Sequence, residues 1–152
     1  MLLRTHLAIS IFAILLFLPY VDAKFLFIFV ALIASIIPDI DTGFSTIGRT
    51  TGTGIIRFFV KHRGAIHSFT IAIILSFLLA VVNPKLGLPF FIGYSSHLLG
   101  DSFTKEGIQA FWPVKKVSSW HIRTSSLTET SLFVIFSIID LLLLIFLFIN
   151  VF

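Results

Sequence analysis

Cysteine is absent from this chain and charge is scarce: of 152 residues, only 12% are Asp, Glu, Lys or Arg. The first absence excludes disulfides and thiolate metal sites. The second excludes an ordinary soluble domain, in which about 25% of residues are charged. Also missing are an internal repeat and any basic-aromatic stripe, so no nucleic-acid partner is expected. What fills the chain is apolar. Hydrophobic residues make up 57% of it, with 19 phenylalanines. A domain of this length cannot hide so much Phe, Ile and Leu inside itself, and the surplus must face lipid. The sequence therefore predicts an integral membrane protein.

Apolar stretches run over Leu7–Leu18, Phe25–Ile37, Ile66–Val82, Leu86–Leu99 and Leu132–Phe152. The predicted fold is all-α, a single membrane-embedded helical domain over 1–152 with about five transmembrane segments. The last stretch reaches the roughly 20 residues that a bilayer requires. The shorter ones must draw flanking polar residues into the membrane boundary or thin the bilayer locally. Pro19, Pro38 and Asn83-Pro84 mark segment ends, leaving longer loops over 42–61 and 102–128. Arg4, the first apolar run and Val21-Asp22-Ala23 imitate a secretory signal. We read this segment as retained, because its removal would take His6 with it and change the parity of the remaining spans.

With all segments spanning, one side carries Arg4, Arg49, Arg57, Lys61, Arg63, Lys105, Lys115, Lys116 and Arg123, and the other only Lys24 and Lys85. The positive-inside rule then puts the N-terminus in the cytoplasm and the C-terminus outside. The location expected is a cell (inner or plasma) membrane, crossed several times.

The polar residues gather at that same basic side. His6, Asp39, Asp41, His62, His67, His97, Asp101 and Glu129 all fall at the cytoplasmic ends of apolar segments. Ionisable groups cost several kcal/mol near hydrocarbon, so such a collection points to function. Histidine mixed with carboxylates suits a divalent metal: zinc first, with manganese or iron also admitted.

His97 and Asp101 lie four apart, about 40° apart around a helix axis, and so share a face. Pro38-Asp39-Ile40-Asp41 closes the second segment with two carboxylates that can bracket a cation from a loop. Acids at a helix C-terminus oppose the macrodipole, so either Arg63 or a metal must compensate them. His62-Arg63-Gly64-Ala65-Ile66-His67-Ser68 opens the third segment, with Gly64 allowing a break that turns both histidines inward. His67 in the first helical turn, beside Arg63, also suits an oxyanion. Glu129 precedes the last segment, where the dipole favours an acid. Asp140 is on the same face of that helix as Glu129, and the residues predict a structural, interhelical role for it. His121 reads as a surface or interfacial residue.

The ordered set His6, Pro38-Asp39-Ile40-Asp41, His62-Arg63-Gly64…His67-Ser68, Ser96-His97-Leu98-Leu99-Gly100-Asp101…Thr104…Gly107 and Phe111-Trp112-Pro113 resembles a known family. These are the LexA-regulated inner-membrane proteins assigned as metal-dependent hydrolases and long catalogued as a domain of unknown function. The resemblance spans almost the whole chain. Thr124-Ser125-Ser126…Glu129 looks like the family's small-residue turn into Glu, with Ser125 where glycine is expected. At greater distance, the order His, Asp, His, His-x3-Asp and a late acid is similar to zinc-dependent phospholipase C and P1-type nucleases. That similarity implies a zinc cluster in a helical bundle, held by His6, Asp39 or Asp41, His62 or His67, His97, Asp101 and Glu129. Further histidines between His97 and the late acid are missing unless His121 serves, so one or two metals fit better than three.

The leading expectation is a metal-dependent hydrolase acting on phosphoesters such as lipid headgroups. His6, Asp39, Asp41, His67, His97 and Asp101 are the candidate ligands. Glu129 or His62 is the candidate general base, and Arg63 the anion-stabilising group. Two alternatives stay open. One is a cation or proton transporter that uses Asp140, and the other is a non-catalytic metal-binding membrane protein.

Overall fold

The computed structural model describes the backbone of residues 1–51 and 65–150, with side chains for 1–39 and 65–150. The candidates Asp41, His62 and Arg63 lie outside the described side chains. Among the described residues, the chain forms α1 (Leu3–Phe17), α2 (Lys24–Thr51), α3 (Phe69–Val82), α4 (Pro84–Ser102) and α5 (Leu127–Asn150), with 3-10 turns at Leu18–Tyr20 and Ala65–His67. No strand is present there beyond the isolated bridges Thr104–Ile122 and Ile108–Ser118.

The chain's composition appears as an inverted distribution of polarity. Phe77, Val81 and Val82 on α3 and Leu141, Leu142, Phe148 and Ile149 on α5 are exposed, while Ser10, Ser35, Ser96, His97, Asp101 and Glu129 are buried. Apolar surface this continuous needs a lipid solvent. Two helical stretches are long and apolar enough to cross a bilayer among the described residues, namely Leu3–Tyr20 and Leu127–Asn150. α3 is apolar but has only 14 residues, and α4 carries Ser95, Ser96, His97 and Asp101 inside. The all-helical class is thus present, with two segments rather than about five meeting the spanning criterion by length and composition.

Local signals set most helix ends. Asn83 caps α4 by accepting the Lys85 N–H at 3.0 Å, and Pro84 occupies the first helical turn, where its missing N–H has no cost. Ser68 caps α3 by accepting from the Ile71 N–H at 3.3 Å. Two boundaries differ from the sequence reading. His67 precedes the Ser68 cap in a 3-10 turn, not in the first turn of α3. Pro38 does not end its helix, since α2 runs on to Thr51. A proline removes one ladder bond, that to the Ala34 carbonyl, and a helix can continue beyond it when packing holds both sides.

α4 is the central helix and packs on α1, α2 and α3, while α5 packs on α1. A methyl group at Gly93 would stand 2.0 Å from the Ala31 carbonyl oxygen, so glycine is what lets α4 cross α2 at backbone contact. Aromatic and aliphatic side chains fill the remaining space. Ile14, Leu15, Leu18, Phe27, Ala31 and Leu147 form one cluster, and Ala34, Ala72, Phe90, Tyr94, Leu98 and Ile108 form a second. The second cluster lies directly against the helix ends that carry the polar residues.

Candidate metal centre

Four separate parts of the chain meet at one end of the bundle. α1 contributes His6, α2 contributes Asp39, the 3-10 turn before α3 contributes His67, and α4 contributes His97 and Asp101. His6, His67, His97 and Asp101 are buried, whereas the Asp39 side chain keeps 33% of its surface exposed. Among these five described residues Asp39 is the one that is not buried.

The His97 ring sits at the centre. His6 stacks on it with centroids 3.9 Å apart and planes 10° from parallel, and His67 meets it edge-on at 5.8 Å. His97 Nε2 lies 3.6 Å from Asp39 Oδ1 and 3.8 Å from Asp101 Oδ2. Asp101 uses its two oxygens differently. Oδ1 accepts from the Met1 ammonium at 2.8 Å and lies 3.2 Å from His6 Nε2, whereas Oδ2 faces His67 Nε2 at 3.9 Å and His97.

The tautomer of His97 follows from its other nitrogen. Nδ1 lies 2.8 Å from the Ser35 carbonyl oxygen, which has no proton, so Nδ1 must be the donor. In the neutral ring Nε2 then carries a lone pair. That lone pair looks at two carboxylate oxygens and makes no hydrogen bond. Acceptor facing acceptor in a buried site is costly unless a cation lies between them. Ligating histidines usually donate their second N–H to a carbonyl or carboxylate, which is what Ser35 receives here. His6 adds to the case: its Nδ1 is buried without a hydrogen bond.

The spacing also fits. Donors about 2.0–2.1 Å from a tetrahedral zinc stand roughly 3.3 Å apart. The triads His6–Asp39–His97 and His67–His97–Asp101 each have ligand atoms within 4.8 Å of one another, and the imidazole–carboxylate approaches within them are 3.6–3.9 Å. Both triads use His97, and one imidazole nitrogen ligates one ion. Among the described residues the two triads therefore make one candidate site, not two.

Glu129, placed with this group from sequence, stands at the same end in a different role. Its Oε1 accepts the Leu2 N–H at 2.6 Å and its Oε2 accepts the Ser125 N–H. Glu129 is fully buried and ties the start of α1 to the start of α5, which helps hold the Met1 amine against Asp101. Ser125 has φ +64°, the left-handed region where glycine has no steric penalty. The Asp101-x-x-Thr104-x-x-Gly107 spacing is also structural. Thr104 Oγ1 donates to the Asp101 carbonyl at 2.7 Å and accepts the Gly107 N–H at 3.3 Å, folding the chain sharply away from α4. His121 is exposed and belongs to neither triad. Asp140 is buried on α5 with Oδ1 lacking a hydrogen bond.

Sequence reasoning missed the Ser35 carbonyl and the Met1 amine, and it quoted Gly100 in the family motif without a role. A methyl group at Gly100 would lie 2.9 Å from His6 Nδ1, so glycine makes room for the stacked ring. Its place one residue before Asp101 was the available signal. Backbone atoms carry no signature in sequence.

Comparison with known proteins adds a family. The model of the YdjM inner membrane protein family matches residues 1–151. No curated protein and no solved structure matches the chain.

Proposed function

The chain belongs to the YdjM inner membrane protein family, and from that premise we propose that it is a membrane-bound metal-dependent hydrolase acting on phosphoesters, lipid headgroups among them. The observation that carries the reading is the His97 ring. It is buried and locked by Ser35 so that its free lone pair points at two carboxylates. Three or four donors drawn from His6, Asp39, His67, His97 and Asp101 would hold one divalent ion, zinc by preference, with a position left for water. A bound zinc lowers the pKa of its water toward about 7 and polarises the scissile group.

The chain's own residues divide the remaining work. Ser35 fixes the ring of His97, and His6 buttresses it by stacking. Asp39, the one partly exposed ligand of the set, would leave the ion's open position on its own side. Glu129 positions the N-terminus beside Asp101. His62 and Arg63, five and four residues before His67, are assigned to proton transfer and to the substrate anion. The excess of Lys and Arg in the loops on the site's side orients the multi-pass chain with that side cytoplasmic and the C-terminus outside. There the site would meet phosphate groups of the inner leaflet without extracting a lipid.

The experiment is elemental analysis of the purified full-length chain, followed by phosphodiester turnover with and without chelator. Stoichiometric metal in the wild type, none in His97→Ala, and chelator-sensitive turnover are the expected results. Stoichiometric metal without turnover on any phosphoester removes the hydrolase and leaves a metal-binding protein. A second reading, proton or cation movement through the bundle, is favoured by the buried unbonded oxygen of Asp140. It predicts ion flux in proteoliposomes that disappears in Asp140→Asn.

A further inference from the structure

The segment between α4 and α5 is pinned to the end of the bundle at three points. It leaves α4 at Ser102 and enters α5 at Leu127, and between them the Ala110 carbonyl accepts the Phe69 N–H at 2.8 Å, at the start of α3. It is also internally tied. Backbone bonds link Ile108 with Ser118 in both directions at 3.0 and 2.8 Å, and the Lys105 N–H reaches the Ile122 carbonyl at 2.9 Å. Such a segment cannot stand away from the membrane boundary. It must lie along it.

Its outward surface has the composition of that boundary. Phe111, Val114, Val117 and Trp120 are each more than half exposed, with Trp120 at 63%. Lys105, Lys115, Lys116 and Arg123 are exposed among them, against the single acid Glu106. Aromatic rings at the headgroup level and basic side chains facing anionic lipid are the two recognised interfacial anchors. The inner face of the same segment is different: Thr104, Gly107 and Ile108 are buried, and Thr104 holds the Asp101 carbonyl. The surface is thus built on the same turn that ends in the candidate metal centre.

We infer that residues 103–126 form an interfacial shelf that binds anionic phospholipid headgroups at the end of the bundle that carries the site. Phe111 and Trp120 insert at the acyl boundary, while Lys115, Lys116 and Arg123 take the phosphates. The shelf goes beyond the hydrolase reading and does not depend on bound metal.

The test uses the full-length chain, with Trp112→Phe leaving Trp120 as sole reporter, in nanodiscs of phosphatidylcholine with and without phosphatidylglycerol and with chelator present. Brominated lipid should quench Trp120 strongly, and phosphatidylglycerol should be enriched among protein-bound lipids. Replacing Lys115 and Lys116 by Gln should reduce that enrichment, by up to about fivefold per removed charge. Water-like, unquenched Trp120 emission overturns the shelf, and so does equal retention of neutral and anionic lipid. Wild-type protein that quenches and enriches as described, yet holds no metal, upholds the shelf while removing the hydrolase.

Discussion

Gly100→Ala separates a metal centre from a merely packed end of a helical bundle. The added methyl would sit 2.9 Å from Nδ1 and 3.1 Å from Cε1 of His6, and 3.3 Å from the Met1 sulfur. The His6 ring must withdraw by about half an ångström to regain ordinary contact. Its retreat is obstructed, because the ring already stacks on His97 at 3.9 Å. Metal sites tolerate ligand displacements of only about 0.2 Å, and disturbing a ligand's support typically costs 10–100-fold in affinity. Helix propensity acts in the opposite direction, since alanine in α4 is favoured over glycine by up to about 1 kcal/mol. The expected outcome is therefore a 10–100-fold loss of zinc affinity with melting in micelles little changed. Competition titration against a chromophoric chelator reads the first, and circular dichroism the second. Gly87→Ala is the control: its methyl would meet Ala80 Cβ at 2.6 Å, in the contact between α3 and α4. It should lower stability by about 1–3 kcal/mol and leave zinc affinity alone. Wild-type zinc affinity in Gly100→Ala would refute the assignment of His6 as a ligand.

Other substitutions probe other parts of the arrangement. His97→Ala should abolish stoichiometric metal, read by elemental analysis, and strand the Ser35 carbonyl in a buried site. Glu129→Ala leaves the Leu2 and Ser125 amides without their acceptor, and thermal unfolding should show a loss of about 2–4 kcal/mol. Ser125→Gly relieves the residue at φ +64° and should raise stability by about 1 kcal/mol in the same melt. Asp140→Leu replaces a buried, incompletely bonded carboxyl. It should stabilise the α1–α5 contact by about 1–3 kcal/mol with metal content unchanged, whereas loss of ion flux in the same variant would support the transport reading.

Much of the site was legible because ionisable residues are rare in an apolar chain and each one stands out. His97 and Asp101 share a helix face by spacing alone, and the structure puts them 3.8 Å apart. Ser125 was marked as standing in place of a glycine, and its positive φ explains why glycine suits the position. Glu129 was legible as a member of the group but not as a tether, because sequence does not say what a carboxylate will accept from. Pro38 misled as a helix end. Proline removes one hydrogen bond, and whether a helix stops or runs on depends on packing that local sequence does not encode.

Composition alone settled the solvent: a chain this rich in Phe, Leu and Ile must turn apolar side chains outward into lipid. It also named the residue types for a metal centre and, through the placement of Lys and Arg, a preferred sidedness. Tertiary structure decided which of those residues converge, that the two triads share His97 and so make one candidate site, and that a backbone carbonyl selects its tautomer. The division has a physical cause. Hydropathy and helical spacing are properties of neighbours along the chain, whereas coordination depends on ångström distances between helices, set by contacts such as Gly93 on Ala31 and His6 on His97.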